Sequence, residues 1–503
     1  MYDLVVLGGG SGGLSVAKAA ARFGAKVALV EKNDLGGECT HSACVPSKAL
    51  IHAARLAHEI RGADRFGIRA GSLDVDFRAV MARVRSVVKE FAGSGSGDSL
   101  RAKGIDVYRG NAAFDAYDTV ILNRETRINA LRFVIATGSR AVHPSIPGLA
   151  EVGFLDNANL WSLEELPREL VVIGAGPSGI EFAQAFARLG SRVTVLAQTE
   201  QILPKEDAEV AQFLQRRLES EGIEFHLGVT VTKVSRRDKQ TTCSWKKSSD
   251  GTTGDSRGTH LLVAAGRLAN VEDLNLEAVG IHADAEHGIE VDEYLLTRSS
   301  RIYALGDVLL QREFTHAAQR EAEVVFQNAV LRLSKKIDYS ALPWTTFVDP
   351  EVATVGLSAA EAEEKYPEIR VFRADYADLD RARIDGLAEG FAKVVTTPTG
   401  KILGATVVGE QASSILQEFV LAMENGLTLN DLAATTHPYP TYLGLAHAIA
   451  NQYAATRLES GFMQALKWFL GIKSPSANAE NTHSNGSSQE SATVEPTTHN
   501  HAH

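Results

Sequence analysis

One glycine pattern occurs twice in this chain, each time between a strand-like run and a helix-like run. Each copy follows a short apolar run, continues into an alanine-rich helical pattern and closes on a second apolar run. The two glycine sets are Gly8, Gly10 and Gly13, and Gly174, Gly176 and Gly179. In this context the glycines let the backbone turn and bring its N–H groups to a pyrophosphate. The sequence therefore predicts two Rossmann-like units, each with a dinucleotide site; an ordinary glycine-rich turn is the alternative.

The residue that ends the second strand of each unit indicates which nucleotide the unit binds. Glu31 ends this strand in the first unit, where an acidic residue accepts a ribose hydroxyl. The second unit ends its strand at Leu196-Ala197-Gln198, with neither the acidic residue that favours NAD nor the arginine that favours NADP. Gly179 in place of alanine favours NAD slightly. The expected donor is therefore NADH or NADPH.

The length and composition of the chain narrow the class of protein. A chain of 503 residues predicts two to four domains, and 44% hydrophobic with 22% charged residues is ordinary for a soluble globular protein. The net charge of −11 without a basic stripe argues against a nucleic-acid partner. Because no apolar run reaches the roughly 18 residues of a membrane span and no leader pattern precedes the first strand, we expect a cytoplasmic protein without a membrane span.

The region after the second unit has a different pattern. Residues 341–460 contain no third glycine pattern and mix strand-like runs, FAKVVTT and KILGATVVG, with one helix-like run. This mixture is typical of a separate α+β domain. The predicted fold class is α/β, with two three-layer Rossmann-like domains followed by an α+β domain.

The C-terminal end is divided into an apolar segment and a polar tail. The segment GFMQALKWFLGI is expected to pack against the third domain, with a peripheral membrane contact as the alternative. Residues 474–503 are polar and low in complexity, so we expect them to be disordered. Three histidines in the tail, His499, His501 and His503, offer loose metal ligands, but a solvated tail is favoured.

Two of the chain's three cysteines, Cys39 and Cys44, lie five positions apart. In an ideal helix their Cα atoms would be about 8.6 Å apart, from a rise of about 1.5 Å and about 100° per residue. A disulfide needs roughly 4.4–6.8 Å. If the pair forms a bond, residues 39–44 are therefore distorted from a regular helix.

Pro46 predicts where the next helix begins. Proline suits the first helical turn and restricts Val45 to an extended shape, so we expect the cysteines just ahead of a helix through SKALIHAARLAHEI. The positive end of that helix lowers the pKa of Cys44 and favours the thiolate. A reactive dithiol beside a dinucleotide site is a redox arrangement.

Two other interpretations of the cysteine pair stay open. Cys39, His41 and Cys44 offer three soft metal ligands, but a closed zinc site usually has four and no fourth lies nearby. Two ordinary thiols are the remaining alternative. The redox pair is favoured, and no metal site is predicted.

Five ordered segments resemble the FAD-dependent pyridine nucleotide–disulfide oxidoreductases, such as dihydrolipoamide dehydrogenase, glutathione reductase and mercuric reductase. The resemblance covers about residues 2–460. The segments resemble, in order, the family's redox-disulfide, ATG, return, flavin-contact and dimerisation motifs. They read GGECTHSACVPSK, FVIATGSRAVHPSIPG, LLVAAGRLANVEDLNLEAVGI, IYALGDV and LPWTTFVDPEVATVGLS.

The resemblance implies a role for each motif. The first glycine set with Glu31 would hold FAD, and the second would hold NAD(P)H. Cys44 would be the thiolate beside the flavin, and Cys39 the interchange thiol that attacks the substrate. Lys48 and Glu181 match the family's ion pair near the reactive flavin nitrogen. The cofactor-binding residues would be Gly8, Gly10, Ser11, Gly12, Gly13, Glu31, Lys32, Gly37, Thr40, Lys48, Ala136, Thr137, Gly138, Gly174, Gly176, Gly179, Glu181, Gly266, Arg267, Gly306 and Asp307.

The resemblance also implies a homodimer and a division of the chain. The FAD-binding domain would have a first part and a return segment on either side of the NAD(P)-binding domain. A dimerisation domain, the apolar segment and the tail would follow. The expected bounds, in chain order, are 1–148, 149–268, 269–340, 341–460, 461–473 and 474–503.

One departure from the family affects the acid/base group. The family usually carries a C-terminal His-Pro-Thr-x-x-Glu segment, in which the histidine serves the interchange thiol and the glutamate orients it. Alignment on Pro440-Thr441 places Tyr439 at the histidine and Gly444 at the glutamate; alignment on His437 leaves Tyr442 at the glutamate. We therefore expect His437 or Tyr439 to act without the family's carboxylate, with a structural role for His437 as the alternative.

The sequence thus predicts a homodimeric FAD enzyme that moves electrons between NAD(P)H and a small or protein-borne disulfide, most like a lipoyl group. The alternative is a transhydrogenase, or a diaphorase, quinone or metal-ion reductase, that uses the flavin alone. A flavoprotein partner without enzymatic activity is a third class. The family's mercuric reductases use a C-terminal cysteine pair. This chain does not have that pair, because no cysteine follows Cys243, so mercuric reduction by the same route is not expected.

Overall fold

The computed structural model describes residues 1–93, 97–458 and 461–472. Its first unit is built on the first glycine pattern. The elements of this unit are β1 (Tyr2–Leu7), α1 (Ser11–Phe23), β2 (Val27–Glu31), α2 (Gly37–His41), α3 (Cys44–Arg61), α4 (Phe77–Gly93), α5 (Gly97–Arg101), β3 (Ile105–Arg109), β4 (Ala112–Ala116), β5 (Thr119–Leu122), β6 (Thr126–Ile135) and β7 (Ser139–Ala141).

The strand β1 lies in the middle of the first sheet and carries the first glycine turn. It pairs in parallel with β2 on one side and β6 on the other. Its residues from Leu4 to Leu7 are buried, as expected for a strand with both faces covered. Helix α1 packs behind it and ends at Gly24, whose φ of 99° forms a left-handed cap. The glycine turn is thereby held between a buried strand and a helix N-terminus.

The second unit repeats this plan with a smaller sheet. Its parallel strands are ordered β10-β9-β8-β14, and β11, β12 and β13 form a separate antiparallel sheet. The elements are α6 (Leu149–Val152), β8 (Glu169–Ile173), α7 (Pro177–Leu189), β9 (Arg192–Leu196), α8 (Ala208–Ser220), β10 (Glu224–His226), β11 (Val229–Arg237), β12 (Gln240–Lys247), β13 (Thr253–Gly258) and β14 (His260–Val263).

The chain then returns to the first unit. The return elements are β15 (Arg267–Ala269), β16 (Ala283–Asp284), β17 (Gly288–Ile289), β18 (Ile302–Ala304) and α9 (Thr315–Ala329). Strand β15 pairs with β7, and β18 pairs with β6 to complete a seven-stranded sheet. The N-terminus of α9 thereby comes to the same edge of the sheet as the first glycine turn.

The third unit is a five-stranded antiparallel sheet covered by helices. Its strand order is β19-β20-β23-β22-β21. The elements are β19 (Pro343–Thr346), β20 (Glu351–Gly356), α10 (Ala359–Lys365), β21 (Arg370–Asp375), α11 (Asp380–Asp385), β22 (Phe391–Thr396), β23 (Ile402–Gly409), α12 (Ala412–Glu424), α13 (Leu429–Ala433), α14 (Gly444–Leu458) and α15 (Gly461–Phe469). No helix in the described ranges combines the length and the apolar composition of a membrane-crossing segment.

Helix α15 does not pack as the sequence predicts. Trp468 and Phe469 are 83% and 78% exposed. The core of the third unit buries Phe419 of α12 and Ile449 of α14. The three tail histidines lie outside the described residues.

Candidate functional site

The segment that carries the cysteine pair is a broken helix. Helix α2 ends at His41 and α3 begins at Cys44, while Ser42 and Ala43 depart from helical geometry. The distortion expected for residues 39–44 is therefore present. The expected extended shape of Val45 is wrong, because α3 already includes it. Pro46 lies in the first turn of α3, where its missing N–H loses no helical bond.

The two thiols are adjacent and differ in proton affinity. Cys39 and Cys44 are both free, and their side chains share a hydrogen bond. That bond lowers the pKa of Cys44 to about 6, assisted by the hydroxyl of Thr315 and the charge of Lys48. The same bond and burial raise the pKa of Cys39. The pair therefore keeps its proton on Cys39 and its negative charge on Cys44.

Thr315 comes to Cys44 from the N-terminus of α9. Its Oγ1 lies 3.5 Å from Cys44 Sγ, at the long limit of a hydrogen bond to sulfur. Cys44 also occupies the first position of α3, whose N–H groups favour negative charge. Two helix ends thus meet at one sulfur.

Lys48 follows Cys44 by one helical turn and meets a carboxylate from the second unit. Its Nζ lies 2.9 Å from Glu181 Oε2, and Glu181 is buried in α7. The other oxygen of Glu181 accepts the backbone N–H of Phe347 at 2.8 Å, and the ring of Phe347 lies 4.7 Å from Lys48 Nζ. The expected ion pair is therefore present and joins all three units.

The first glycine turn fits a diphosphate. Gly8 has a φ of 110°, and a Cβ there would lie 2.2 Å from the Ala136 carbonyl oxygen. A Cβ on Gly13 would lie 2.0 Å from the Gly8 carbonyl oxygen, whereas a Cβ on Gly10 would be in ordinary contact with Gly37 Cα, at 3.9 Å. Gly10 caps α1 without a side-chain bond, so the first N–H groups of a 13-residue helix remain available.

Glu31 lies beside this turn as expected. Its Oε2 accepts the N–H of Gly9 at 2.6 Å, and its Oε1 accepts the N–H of Asn33 at 2.7 Å. These bonds fix the carboxylate at the end of β2, where a ribose would lie. The available N–H groups of α1 and the fixed carboxylate together fit the adenosine diphosphate part of FAD.

The other predicted flavin contacts lie around the same edge. Ser11 and Gly12 begin α1, and Lys32 follows β2. Gly37 packs against Gly10, because a Cβ on it would lie 2.7 Å from Gly10 Cα. Thr40 donates to the Gly36 carbonyl at 3.1 Å.

Ala136, Thr137 and Gly138 form the exit from β6. Ala136 donates its N–H to Leu7 at 2.8 Å, and Thr137 donates its hydroxyl to the Asn270 carbonyl at 2.7 Å. These bonds tie the exit to β1 on one side and to the returning chain on the other.

A polar chain connects the return segment to the cysteine turn. Arg267 follows Gly266, pairs with Glu38 and donates to Ser139 Oγ at 2.7 Å. Ser139 in turn donates to Asp307 Oδ2 at 3.0 Å. Asp307 is thereby held in place for the flavin contact that the resemblance implies.

Gly306, which precedes that aspartate, is fixed by a buried carboxylate. Its N–H donates to Glu321 Oε2 at 2.6 Å, and Tyr339 donates to the other oxygen at 2.7 Å. This arrangement links the turn to α9.

The second glycine turn repeats the first except for its carboxylate. The N–H of Gly8 bonds Val30 at 2.8 Å, and the N–H of Gly174 bonds Leu196 at 2.9 Å. The residue after Val30 is Glu31, whereas the residue after Leu196 is Ala197. Nothing lies within 4 Å of a Cβ on the capping Gly176, so α7 also offers an open N-terminus. The second turn therefore fits a diphosphate but has no acidic group at the matching ribose position.

Gly179 makes the close contact that its place in the pattern requires. A Cβ there would lie 2.1 Å from the Gly174 carbonyl oxygen, like Gly13 in the first turn. The two glycine sets are thus structurally equivalent.

His437 and Tyr439 both have carboxylate partners that the sequence did not predict. His437 Nε2 lies 2.8 Å from Glu418 Oε1, on α12, and the Tyr439 hydroxyl donates to Asp380 Oδ2 at 3.0 Å. The family's glutamate position holds Gly444 or Tyr442, as the sequence shows, and neighbouring helices supply a different carboxylate to each residue. These contacts all lie in the third unit.

Several site residues were missed by sequence reasoning. Each of them contacts its partner across at least 19 positions of sequence, and no local pattern relates the two. They are Glu38, Thr315, Phe347, Asp380 and Glu418.

His41, considered above as a metal ligand, and Cys243, the third cysteine, both have environments typical of structural residues. His41 Nε2 bonds the Leu35 carbonyl at 2.9 Å, and no group of three described His, Cys, Asp or Glu side chains is arranged to hold a metal ion. Cys243 is buried in β12, and burial raises its pKa to about 12.

Comparison with known families matches most of the chain. The family described as pyridine nucleotide-disulphide oxidoreductase matches residues 2–322, and that family's dimerisation domain matches residues 342–448.

Individual relatives carry two different names. Mercuric reductase of Streptomyces lividans is 35% identical over 446 residues, which is 88% of this chain and 94% of that protein. Dihydrolipoyl dehydrogenase of Bacillus subtilis is 33% identical over 445 residues, 87% of this chain and 93% of that protein.

A solved structure is similar over most of the chain. The HOCl-induced flavoprotein disulfide reductase RclA of Escherichia coli, solved also as a Cu(II) complex, has a TM-score of 0.79 and 26% identity. The match covers 90% of this chain and 99% of RclA.

Proposed function

Since the chain belongs to the pyridine nucleotide–disulfide oxidoreductase family, whose members use FAD and NAD(P)H, we propose that it exchanges electrons with a small or protein-borne disulfide of the lipoyl type. The observation that carries the proposal is the place of the thiol pair, with Cys44 at the N-terminus of α3 and 3.5 Å from the hydroxyl of Thr315. The opposite pKa shifts of the two thiols favour the proton on Cys39 and the negative charge on Cys44. A structural role for the two thiols would not require their pKa values to be shifted in opposite directions.

Each residue of the pair has a separate task in this proposal. Cys44 keeps its negative charge at neutral pH, because a pKa of about 6 leaves it mostly ionised. Cys39 forms the mixed disulfide with the substrate, and Cys44 then closes the bond between the two cysteines. FAD, when bound, supplies the two-electron link between the nicotinamide and this disulfide.

Lys48 and Glu181 would set the electrostatics where the flavin ring binds. The cation favours negative charge on the reduced ring, and the buried carboxylate fixes the position of the cation. Glu31, Asp307 and the first glycine turn would hold FAD, and the second glycine turn would hold the nicotinamide nucleotide.

The acid/base group for Cys39 would come from a second copy of the chain. The dimerisation domain supports a homodimer. His437 and Tyr439 both lie in that domain, away from the cysteines of their own chain. A reducing cytoplasm is the compartment we propose, because a cycling dithiol suits it.

The rival function uses the flavin without the cysteines. Relatives named mercuric reductase and a Cu(II) complex of RclA favour a metal-ion acceptor, and a diaphorase or transhydrogenase belongs to the same class. Gly444 in place of the family's glutamate also favours it.

Anaerobic titration with NADH and, separately, NADPH tests the proposal. A long-wavelength absorbance band at two-electron reduction is expected, and the nucleotide that produces it faster is the preferred donor. Cys39→Ser should abolish turnover with lipoamide. Bleaching of the flavin without the band, or full turnover by Cys39→Ser, would favour the rival.

A further inference from the structure

The side chain of His437 is fully engaged within its own unit. Its Nε2 pairs with Glu418 at 2.8 Å and its Nδ1 faces the Thr435 carbonyl at 3.1 Å. The side chain is 8% exposed and packs against the ring of His447. Both ring nitrogens therefore face acceptor oxygens of the same chain, and neither is directed to an incoming sulfur. This is the geometry of an anchor for residues 435–441.

Tyr439, two residues further on, has the opposite environment. It is 80% exposed, and its hydroxyl donates to Asp380, the first residue of α11. A phenolic oxygen that donates one hydrogen bond still accepts another. The hydroxyl is thus free to receive a thiol proton from outside its own chain.

Alignment on Pro440-Thr441 places Tyr439 where the family has its histidine. The side chain projects from the dimerisation domain, whereas Cys39 lies in the first unit of the same chain without contacting it.

We propose that Tyr439, oriented by Asp380, relays the proton of Cys39 in the second subunit, while His437 only anchors the loop. The inference rests on the proposed disulfide exchange. It replaces the family's histidine and glutamate with a tyrosine and an aspartate.

The relay conserves protons and electrons. As Cys39 attacks a substrate disulfide, a bond forms between Cys39 and one substrate sulfur, and the substrate S–S bond breaks with its electron pair on the leaving sulfur. The thiol proton passes to the Tyr439 oxygen while the hydroxyl proton passes to Asp380. The reverse movement gives one proton to the leaving sulfur.

Rapid mixing separates the two halves of the cycle. Tyr439→Phe and Asp380→Asn should slow oxidation of the reduced enzyme by lipoamide about 100-fold, the range of general acid–base catalysis. Reduction of the enzyme by NAD(P)H should stay at the wild-type rate in both variants. A defect in the overall structure would slow this half-reaction as well.

Tyr442→Phe is the matched control. Tyr442 also donates to an aspartate of α11, Asp385, at 2.9 Å, but its side chain is buried. This variant should oxidise at the wild-type rate. A wild-type rate for Tyr439→Phe would overturn the proposal.

Mixed dimers test the contribution of the second subunit. Cys39→Ser and Tyr439→Phe chains, coexpressed with different tags, should form a heterodimer with one intact site. Lipoamide turnover should then recover to about half the wild-type value. No recovery would show that Tyr439 does not act across the dimer.

The proposed function fails in a different way. It fails when Cys39→Ser alone keeps full turnover with lipoamide. The relay fails when Cys39→Ser is inactive but Tyr439→Phe is not.

Discussion

At the scale of single residues, the site depends on contacts between distant parts of the sequence. Cys44 and Thr315 are 271 positions apart, yet the hydroxyl helps to hold the thiolate. The sequence predicted the cysteine pair and the depressed pKa of Cys44 from the adjacent helix end. It did not predict the threonine, since a single hydroxyl carries no pattern that relates it to a remote sulfur.

Thr315→Val tests this contact. Because a hydrogen bond to a charged group is worth about 1.5–3 kcal/mol and one pKa unit about 1.4 kcal/mol, the pKa of Cys44 should rise by about one to two units. The thiolate of the reduced protein, followed by its ultraviolet absorbance against pH, should then be lost at a higher pH than in the wild type.

Thr399→Val is the control for that titration. Its hydroxyl bonds Thr397 in a turn of the third unit, away from the cysteines. In the Thr399→Val variant, the midpoint of the Cys44 thiolate titration should match that of the wild type, at about 6. An unchanged midpoint in Thr315→Val would show that the hydroxyl does not hold the thiolate.

At the scale of elements, the strand–turn–helix units were the most predictable part of the molecule. The glycines at 8 and 174 both have positive φ and both approach a carbonyl of the neighbouring strand. Local chemistry thus determines these turns. The start of α3 was less predictable. Pro46 disfavours a helical conformation at Val45, but the first turn of α3 includes Val45 all the same.

The two glycines of the second turn should respond differently to alanine. Gly174→Ala places a Cβ 2.1 Å from the Ala264 carbonyl oxygen at a φ of 116°, so thermal unfolding should occur at a clearly lower temperature. Gly176→Ala meets nothing within 4 Å and should fold normally.

The Gly176 variant should instead show a defect in nucleotide binding. Its added methyl group occupies the open space at the N-terminus of α7, so the KM for the nicotinamide nucleotide should rise about tenfold, or about 1.4 kcal/mol. An unchanged KM with both NADH and NADPH would place the diphosphate elsewhere.

At the scale of the whole molecule, buried charges hold the second and third units together. Arg188 is 3% exposed and bonds Glu221 at 2.7 Å and Asp349 at 2.6 Å. Asp349 belongs to the loop between β19 and β20, next to the Phe347 contact with Glu181. The sequence predicted separate units but not their relative placement, because such pairs join residues about 160 positions apart.

Arg188→Met should lower the free energy of unfolding by about 3–5 kcal/mol, since it removes the buried cation that two carboxylates share. Denaturant unfolding followed by tryptophan fluorescence measures the loss. Arg192→Met removes an exposed pair with Glu169, 78% exposed on the arginine side, and should cost less than about 1 kcal/mol. Equal losses in the two variants would contradict this account.

The difference between the two glycine turns has a consequence for how long each nucleotide stays. The first turn has a carboxylate already fixed by two backbone bonds, whereas the second has Ala197 in its place. A preformed ribose acceptor slows dissociation, and its absence permits rapid exchange. FAD can thus remain bound through many turnovers, while the nicotinamide nucleotide leaves after each one. Such exchange is required of an electron carrier that other enzymes also use.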